Sequence, residues 1–191
     1  FSAQELKAAA EYCHARGVQV HMALNTLADD TEIKAQVQAA VRDACLAGVD
    51  ALIVQDLGVY RIVRQCAPTM PVHASTQMSV HTLAGVQRLA ELGFTRAVLA
   101  RELSLREIEY ITKNSPIEIE VFVHGALCMC VSGQCLMSAM LGSRSANRGL
   151  CAQPCRLPFA SENGLGHDLS LKDLSAVEYL QQLKSFGVKS F

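Results

Sequence analysis

The feature of this sequence that most restricts its fold is a regular alternation of helical and strand-like segments over the first 124 residues. Apolar residues recur every three to four positions in the helical segments, and short β-branched runs follow them. Gly17, Gly48 and Gly93 each end a helical pattern. The predicted helices are 3–16, 31–47, 57–66, 80–92 and 104–113, and the predicted strands are 18–24, 51–54, 72–74, 97–100 and 117–123.

This alternation predicts βαβ units and a parallel sheet, and hence an α/β fold. The handedness of such units leaves two main closures, an open doubly wound sheet or a TIM-type (β/α)8 barrel. No Gly-x-Gly-x-x-Gly loop follows a predicted strand, which weakens the dinucleotide-binding form of the open sheet.

Polar residues follow the predicted strands, and in a barrel these positions gather at the face where barrel enzymes place their active sites. The alternative is that strand ends are polar simply because turns are polar. The residues concerned are Asn25-Thr26, Gln55-Asp56, Ser75-Thr76-Gln77, Arg101-Glu102 and His124.

The alternation breaks after His124. The segment 125–161 contains no Asp, Glu or Lys and is rich in Cys, Gly and Ser, which predicts an irregular insertion. Regular structure is predicted to return as a helix over 171–186 and as a strand that begins at Val188. Thr31 and Ser104 are the predicted N-caps of two earlier helices. The chain has six predicted strands in all, two fewer than a closed eight-stranded barrel. We therefore expect residues 1–191 to be one truncated barrel domain.

Composition excludes several classes of protein. Half of the residues are hydrophobic and 18% are charged, as in a globular domain. The formal net charge of −1 argues against a surface that is basic throughout, although a local basic patch remains compatible with it. No apolar run has the length of a membrane span, and no signal peptide is recognisable, so a cytoplasmic location is expected.

Five of the eight cysteines fall within 28 residues, and this spacing predicts a metal or cluster site rather than a disulfide framework. Four thiolates suit zinc or an iron–sulfur cluster. Unbound thiols, or a nucleophilic cysteine with His124 as its base, are the alternatives. Cys13, Cys45 and Cys66 are predicted core residues. The clustered cysteines are Cys128, Cys130, Cys135, Cys151 and Cys155.

Longer motifs in the same region are more specific. The runs 120–128 (EVFVHGALC), 132–138 (SGQCLMS) and 144–156 (RSANRGLCAQPCR) resemble the signature of peptidase family U32. Upstream, 55–58 (QDLG) and 73–77 (HASTQ) are also similar to that family. The resemblance extends across essentially the whole chain and implies a barrel-like catalytic domain, so we predict a TIM-type barrel, incomplete in this chain, with the Cys-rich segment inserted after a strand.

The resemblance also implies chemistry. Family members hydroxylate RNA bases, with prephenate implicated for tRNA, or support oxygen-independent hydroxylation in ubiquinone synthesis with a four-cysteine [4Fe–4S] cluster. Cys128, Cys135 and Cys151 match the cluster-type cysteines, and the fourth ligand is Cys155 or a residue beyond this chain. Cys130 is expected to be an extra cysteine, and zinc is the alternative metal.

We therefore expect an iron–sulfur-dependent hydroxylase of tRNA or rRNA bases, with a small carboxylate such as prephenate as co-substrate. Glu102 and His124 are candidate proton-transfer residues by position. The candidate substrate-binding residues are Gln55, Asp56, Gln77, Arg101, Arg144, Arg148 and Arg156. Two alternatives stay open, a peptidase of the collagenase type and a metal-stabilised binding domain without catalysis.

Overall fold

The computed structural model of the chain describes residues 2–131, 134–162 and 164–191. Five of the described strands form one parallel sheet, in which each strand pairs with the one before it in sequence. Doubly wound sheets reverse their strand order at a switch point, and this sequential order contains no such reversal. The predicted parallel α/β architecture is confirmed. The strands are β1 (His21–Leu24), β2 (Ala51–Val54), β3 (Val72–Ala74), β4 (Arg96–Val98) and β5 (Glu118–Glu120).

The sheet is open within the described residues, and the predicted barrel closure is not found there. Beyond β5, Glu120 forms one parallel bridge with Ser190. The Lys189 N–H also donates to the Ile119 carbonyl at 3.0 Å. The predicted strand from Val188 is therefore reduced to a single bridge, and five strands are fewer than the roughly eight that close a barrel of this kind.

Helices precede or follow each strand of the sheet. A π-helical turn, Ile33–Val37, joins the second helix to the third. Ser104 caps its helix as predicted, by accepting from the Glu107 N–H. Thr31 was wrongly predicted as a cap, because the Asp29 carboxylate accepts from two backbone N–H groups and starts the helix earlier. The helices are α1 (Ala3–His14), α2 (Asp30–Glu32), α3 (Gln38–Ala47), α4 (Leu57–Cys66), α5 (Leu83–Leu92), α6 (Leu105–Asn114), α7 (Met137–Gly142) and α8 (Leu180–Phe186).

The hydrophobic core lies between the helices and one face of the sheet. Side chains alternate along a strand, so Leu52 and Val54 of β2 point to the same face, where both are fully buried. Val41 of α3 and Val63 of α4 belong to the same buried cluster. Burial of this apolar layer fixes which face of the sheet the helices cover.

The other face of the sheet carries titratable side chains among apolar ones. His73 of β3 is in register with Arg96 of β4, and Arg96 forms ion pairs with Glu118 at 2.7 Å and with Glu120 at 3.1 Å. The His73 ring also contacts the edge of His21, with centroids 4.8 Å apart. This face therefore holds titratable groups where the opposite face holds only apolar side chains.

The Cys-rich region contains short elements that the sequence did not predict. β6 (His124–Gly125) pairs antiparallel with β9 (Leu174–Ser175), and β7 (Phe159–Ser161) pairs with β8 (Gly164–Gly166). The predicted helix over 171–186 was therefore wrong in its first half. The backbone of residues 174–175 pairs with β6 as a strand, and α8 begins only after it.

Two of the three isolated cysteines are not in the core. Cys45 and Cys66 are exposed, and Cys13 is half-buried. On α3 the buried stripe runs through Val41 and Ala44, so Cys45 lies one position away from it. No helix among the described residues is long and apolar enough to cross a membrane.

Candidate active site

Side chains at the carboxyl ends of four sheet strands border one cavity of about 380 Å³. Asn25 follows β1, Thr76 and Gln77 follow β3, Arg101 follows β4, and Phe122 lies just beyond β5. The strands are parallel, so their carboxyl ends lie at one edge of the sheet. The predicted convergence of polar strand ends is confirmed for Asn25, Thr76, Gln77 and Arg101, and Phe122 was not part of that prediction.

The Cys-rich segment supplies another wall of the same cavity. Cys128, Cys135, Cys151 and Cys155, the four predicted cluster ligands, all border it. Each of them is a free thiol in the described part of the chain. The fold therefore brings the four thiols to the cavity that the strand ends form.

Backbone amides point at two of these sulfur atoms. The Met137 N–H, at the start of α7, donates to Cys135 Sγ at 3.4 Å, and the Gln153 N–H donates to Cys151 Sγ at 3.4 Å. Hydrogen bonds to sulfur stabilise the thiolate form, which is the form that binds metals. The donor set therefore fits a group that is held by thiolates.

Ser138 is a further contact of the Cys151 sulfur, and the sequence gave no signal for it. This fully buried hydroxyl donates to Cys151 Sγ at 3.9 Å and accepts from the Ala152 N–H at 3.0 Å. One side chain of α7 therefore holds both the sulfur and the backbone of the Cys151 loop.

Cys130 differs from the four thiols on the cavity wall. It is not among the residues that border the cavity. Burial, and secondly a hydrogen bond with Cys135, raises the pKa of the Cys130 thiol. Its Sγ lies 3.9 Å from the Met129 sulfur. These surroundings favour a protonated thiol at Cys130.

The thiols do not converge on one point. Among the described residues, no three His, Cys, Asp or Glu side chains are close enough to hold a single metal ion. A single zinc ion needs four donors at about 2.0 to 2.3 Å from one centre. A cubane cluster instead binds one thiolate at each iron corner, so its ligands are spread apart. Ser132 and Gly133 of the predicted signature lie outside the described residues.

The Cys-rich segment is held against the loops that follow β1 and β2. The Asn147 carbonyl accepts from the Leu27 N–H at 3.3 Å and from Gln55 Nε2 at 3.2 Å. Arg148 forms an ion pair with Glu32, and this hydrogen bond lowers the pKa of the Glu32 carboxyl. Gln55 and Arg148, both predicted to bind substrate, therefore contact other parts of this chain.

Arg156 borders the cavity and ties the segment to later residues. Its guanidinium donates to the Leu127 carbonyl at 3.3 Å, to Ser170 Oγ at 3.0 Å and to the Leu171 carbonyl. It also pairs with Asp173 at 3.0 Å. This predicted substrate-binding residue is thus held firmly by protein groups at the cavity wall.

Several predicted site residues lie away from this wall. Glu102, His124 and Arg144 are exposed, and none of them is among the residues that border the cavity. Asp56 instead caps α4, where its Oδ1 accepts from the Gly58 and Val59 N–H groups. Of the predicted substrate-binding set, the cavity gathers Gln77, Arg101 and Arg156.

The capping role of Asp56 leads to a prediction. We expect Asp56→Ala to lower the free energy of unfolding by about 1 kcal/mol, because two N–H groups of α4 lose their acceptor. Asp56→Asn keeps a side-chain oxygen and is the matched control, which should lose less. Urea denaturation of the three proteins measures the difference. Equal stability of Asp56→Ala and wild type would contradict the capping role.

The full chain, residues 1–191, matches the family model of peptidase family U32. The chain belongs to this family. A solved structure of a U32 peptidase superposes with a TM-score of 0.52 at 18% identity, over 64% of this chain and 53% of the other. That likeness shows a shared fold.

Curated relatives of this U32 chain carry different functional names. The 23S rRNA 5-hydroxycytidine C2501 synthase of Escherichia coli K12 is 41% identical over 187 residues, 94% of this chain and 28% of that protein. The tRNA hydroxylation protein P of the same organism is 36% identical over 170 residues, 88% of this chain and 37% of that protein. A collagenase of Porphyromonas gingivalis is 31% identical over 214 residues, 100% of this chain and 50% of that protein. The chain thus spans about a quarter to a half of these relatives.

Proposed function

We propose that this chain belongs to an RNA base hydroxylase of tRNA or rRNA, and that it holds a [4Fe–4S] cluster on Cys128, Cys135, Cys151 and Cys155. The observation that carries the proposal is the single cavity, in which four thiols face polar strand ends. Two relatives named for rRNA or tRNA hydroxylation support the substrate class. An RNA substrate of this kind implies a cytoplasmic location.

The sheet order supports a barrel for the whole protein. Neighbouring strands of the five-stranded sheet are consecutive in sequence, which is the order of a TIM-type barrel. We propose that further strands complete such a barrel and that the cavity lies at its carboxyl-terminal mouth.

The side chains divide the chemical work. Replacing a base C–H by C–OH adds one oxygen atom and removes two electrons, so the reaction needs an oxygen source and a two-electron acceptor. We propose that a small hydroxylated carboxylate of the prephenate type is both: its C–OH bond breaks, the hydroxyl group moves to the base, and the carbon left behind takes the hydrogen of the base. When bound, the cluster would supply the redox chemistry. Arg101 and Arg156 present positive charge to carboxylate or phosphate at the cavity wall.

The remaining predicted residues keep roles at the edge of the site. Gln55, Asp56, Arg144 and Arg148 are proposed to border the path of the RNA. Glu102 and His124 stay the proposed proton-transfer residues. Neither borders the cavity, so in this proposal they act on the part of the substrate that lies outside it. A single rim cation such as Arg144, which is exposed, is expected to contribute one phosphate contact to the salt dependence of RNA binding.

Metal analysis of the full-length protein, purified without oxygen, tests the cluster. We expect about four iron and four sulfide per chain, and their loss in Cys135→Ser. Cys45→Ser, at an exposed position on α3, is the matched control and should keep the iron. Zinc in place of iron in the wild type would contradict the proposal and favour a metal-stabilised binding domain.

A peptidase is the second candidate, because the relative named collagenase aligns over the full length of this chain. Incubation of the same preparations with gelatin and with an unmodified RNA separates the two functions. Gelatin cleavage that Cys128→Ser abolishes would favour the peptidase. An RNA product heavier by one oxygen atom would favour the hydroxylase.

A further inference from the structure

A short helix, α7, links the two halves of the thiol wall. The four thiols that border the cavity fall into two pairs, one before α7 in the sequence and one after it. The Met137 N–H of α7 donates to Cys135 Sγ in the first pair at 3.4 Å. The hydroxyl of the next residue, Ser138, donates to Cys151 Sγ in the second pair at 3.9 Å. Two consecutive residues of one helix therefore contact one sulfur atom of each pair.

Ser138 has a fixed position in this helix. It is only 1% exposed, and its carbonyl accepts from the Arg144 N–H at 3.2 Å where α7 ends. α7 also packs against the turn Pro154–Arg156, in which Pro154 is buried. Cys151, in contrast, is an exposed residue. A buried and anchored hydroxyl therefore restrains the thiol of an exposed residue.

The hydroxyl of Ser138 has a single hydrogen to donate. Its oxygen accepts from the Ala152 N–H at 3.0 Å, and its hydrogen is left to donate to Cys151 Sγ. Burial keeps away the water that would otherwise compete for this hydrogen. A buried donor without an acceptor is costly, and the sulfur relieves that cost. The positive end of the hydroxyl dipole is therefore directed at the Cys151 sulfur.

A donor beside a cluster ligand affects how easily the cluster accepts an electron. Reduction adds negative charge, part of which lies on the thiolate ligands, and a hydrogen bond to a thiolate stabilises that charge. Hydrogen bonds to the sulfur atoms are among the factors that set the reduction potential of an iron–sulfur cluster. The Gln153 N–H, at 3.4 Å, also donates to Cys151 Sγ, so this sulfur receives two hydrogen bonds. Loss of the Ser138 donor would therefore make reduction harder.

We propose that Ser138 is a positioning residue of the cluster site, which holds the Cys151 thiolate at the cavity and raises the reduction potential of a cluster bound there. This inference rests on the proposed function, because it needs a cluster on Cys151. It adds to that function a residue that is not itself a ligand. Removal of a group that orients a metal ligand typically lowers metal affinity by about 10- to 100-fold.

Redox titration of the full-length protein, purified without oxygen, tests this role. We expect Ser138→Ala to have a more negative midpoint potential than wild type, and to hold its iron about 10- to 100-fold less tightly against a chelator. Ser138→Thr keeps the hydroxyl and should restore the potential. Ser143→Ala, which removes an exposed hydroxyl at the end of α7, is the matched control. A purely structural role would weaken iron retention without moving the potential.

Amide exchange in the metal-free proteins tests the contact without a cluster. The Ala152 N–H loses its acceptor in Ser138→Ala and should exchange about 2- to 12-fold faster, as expected for the loss of one hydrogen bond. This measurement decides the matter when Ser138→Ala binds no cluster at all: faster exchange supports the positioning role, and unchanged exchange overturns it.

The outcomes separate this inference from the proposed function. Wild type that holds neither iron nor sulfide would contradict both. Wild type that holds the cluster, with an equal midpoint potential in Ser138→Ala, would overturn the role of Ser138 alone. A potential that falls in Ser138→Ala and returns in Ser138→Thr supports that role.

Discussion

Replacing Arg156 with methionine is expected to release the Cys-rich segment from the residues that follow it. The guanidinium bonds two backbone carbonyls, those of Leu127 and Leu171, together with Ser170 Oγ and the Asp173 carboxylate. Hydrogen bonds to a charged group contribute about 1.5–3 kcal/mol each. Because the side chain is partly exposed, we expect a loss of about 2–4 kcal/mol in the free energy of opening of this segment.

Hydrogen exchange measures this opening locally. The Leu157 N–H, bonded to the Pro154 carbonyl at 3.1 Å, should exchange about 30- to 1,000-fold faster in Arg156→Met. Arg156→Lys keeps the charge but not the planar fork, so an intermediate rate is expected. Arg144→Met, at an exposed position of the same segment, is the matched control. Unchanged exchange in Arg156→Met would contradict the tie between the two parts.

Acidification is expected to destabilise the protein through His73. Burial, together with the nearby Arg96 and His21, lowers the pKa of His73 from 6.5 to about 4. Between these two pKa values the unfolded chain binds a proton that the folded protein does not bind. The free energy of unfolding therefore falls as the pH drops from about 6.5 to about 4, by about 3 kcal/mol in total from this residue.

Urea denaturation between about pH 7 and about pH 4 tests this expectation. His73→Gln removes the titrating ring and should make the loss of stability on acidification smaller by about 3 kcal/mol. Carboxylates that also titrate in this range are present in both proteins and cancel in the comparison. His81→Gln removes a ring from an exposed position and is the matched control. An identical pH dependence of wild type and His73→Gln would show that this ring does not govern the acid response.

Local signals in the sequence predicted the sheet and its helices well. The helix ends at Gly48 and Gly93 were predicted correctly, because glycine is a strong signal for such an end. Both residues adopt positive φ, 77° and 93°, where a side chain would be strained. The helix over 171–186 failed because Leu174 and Ser175 form an antiparallel ladder with β6. That ladder joins positions about fifty residues apart, which no local period can show.

The candidate site was predicted only in part, because some of its contacts join residues that are far apart in the sequence. The four cysteines are close in sequence, so their number and spacing pointed to one site. Phe122 was assigned only to the predicted strand 117–123, because an aromatic residue in an apolar run has the same pattern whether it faces the core or a cavity. The contact of Arg148 with Glu32 spans 116 residues and depends on how the segment packs.

The sequential strand order has a consequence for how the protein forms during synthesis. Each strand from β2 to β5 meets a partner that was made just before it, so the sheet is able to grow as the chain leaves the ribosome. The bonds from Asn147 to Leu27 and Gln55 link residues made far apart in time, and they form only after that sheet exists. We therefore expect the thiols to gather late, on a scaffold already in place, so that loading of the proposed cluster would follow folding of the sheet rather than drive it.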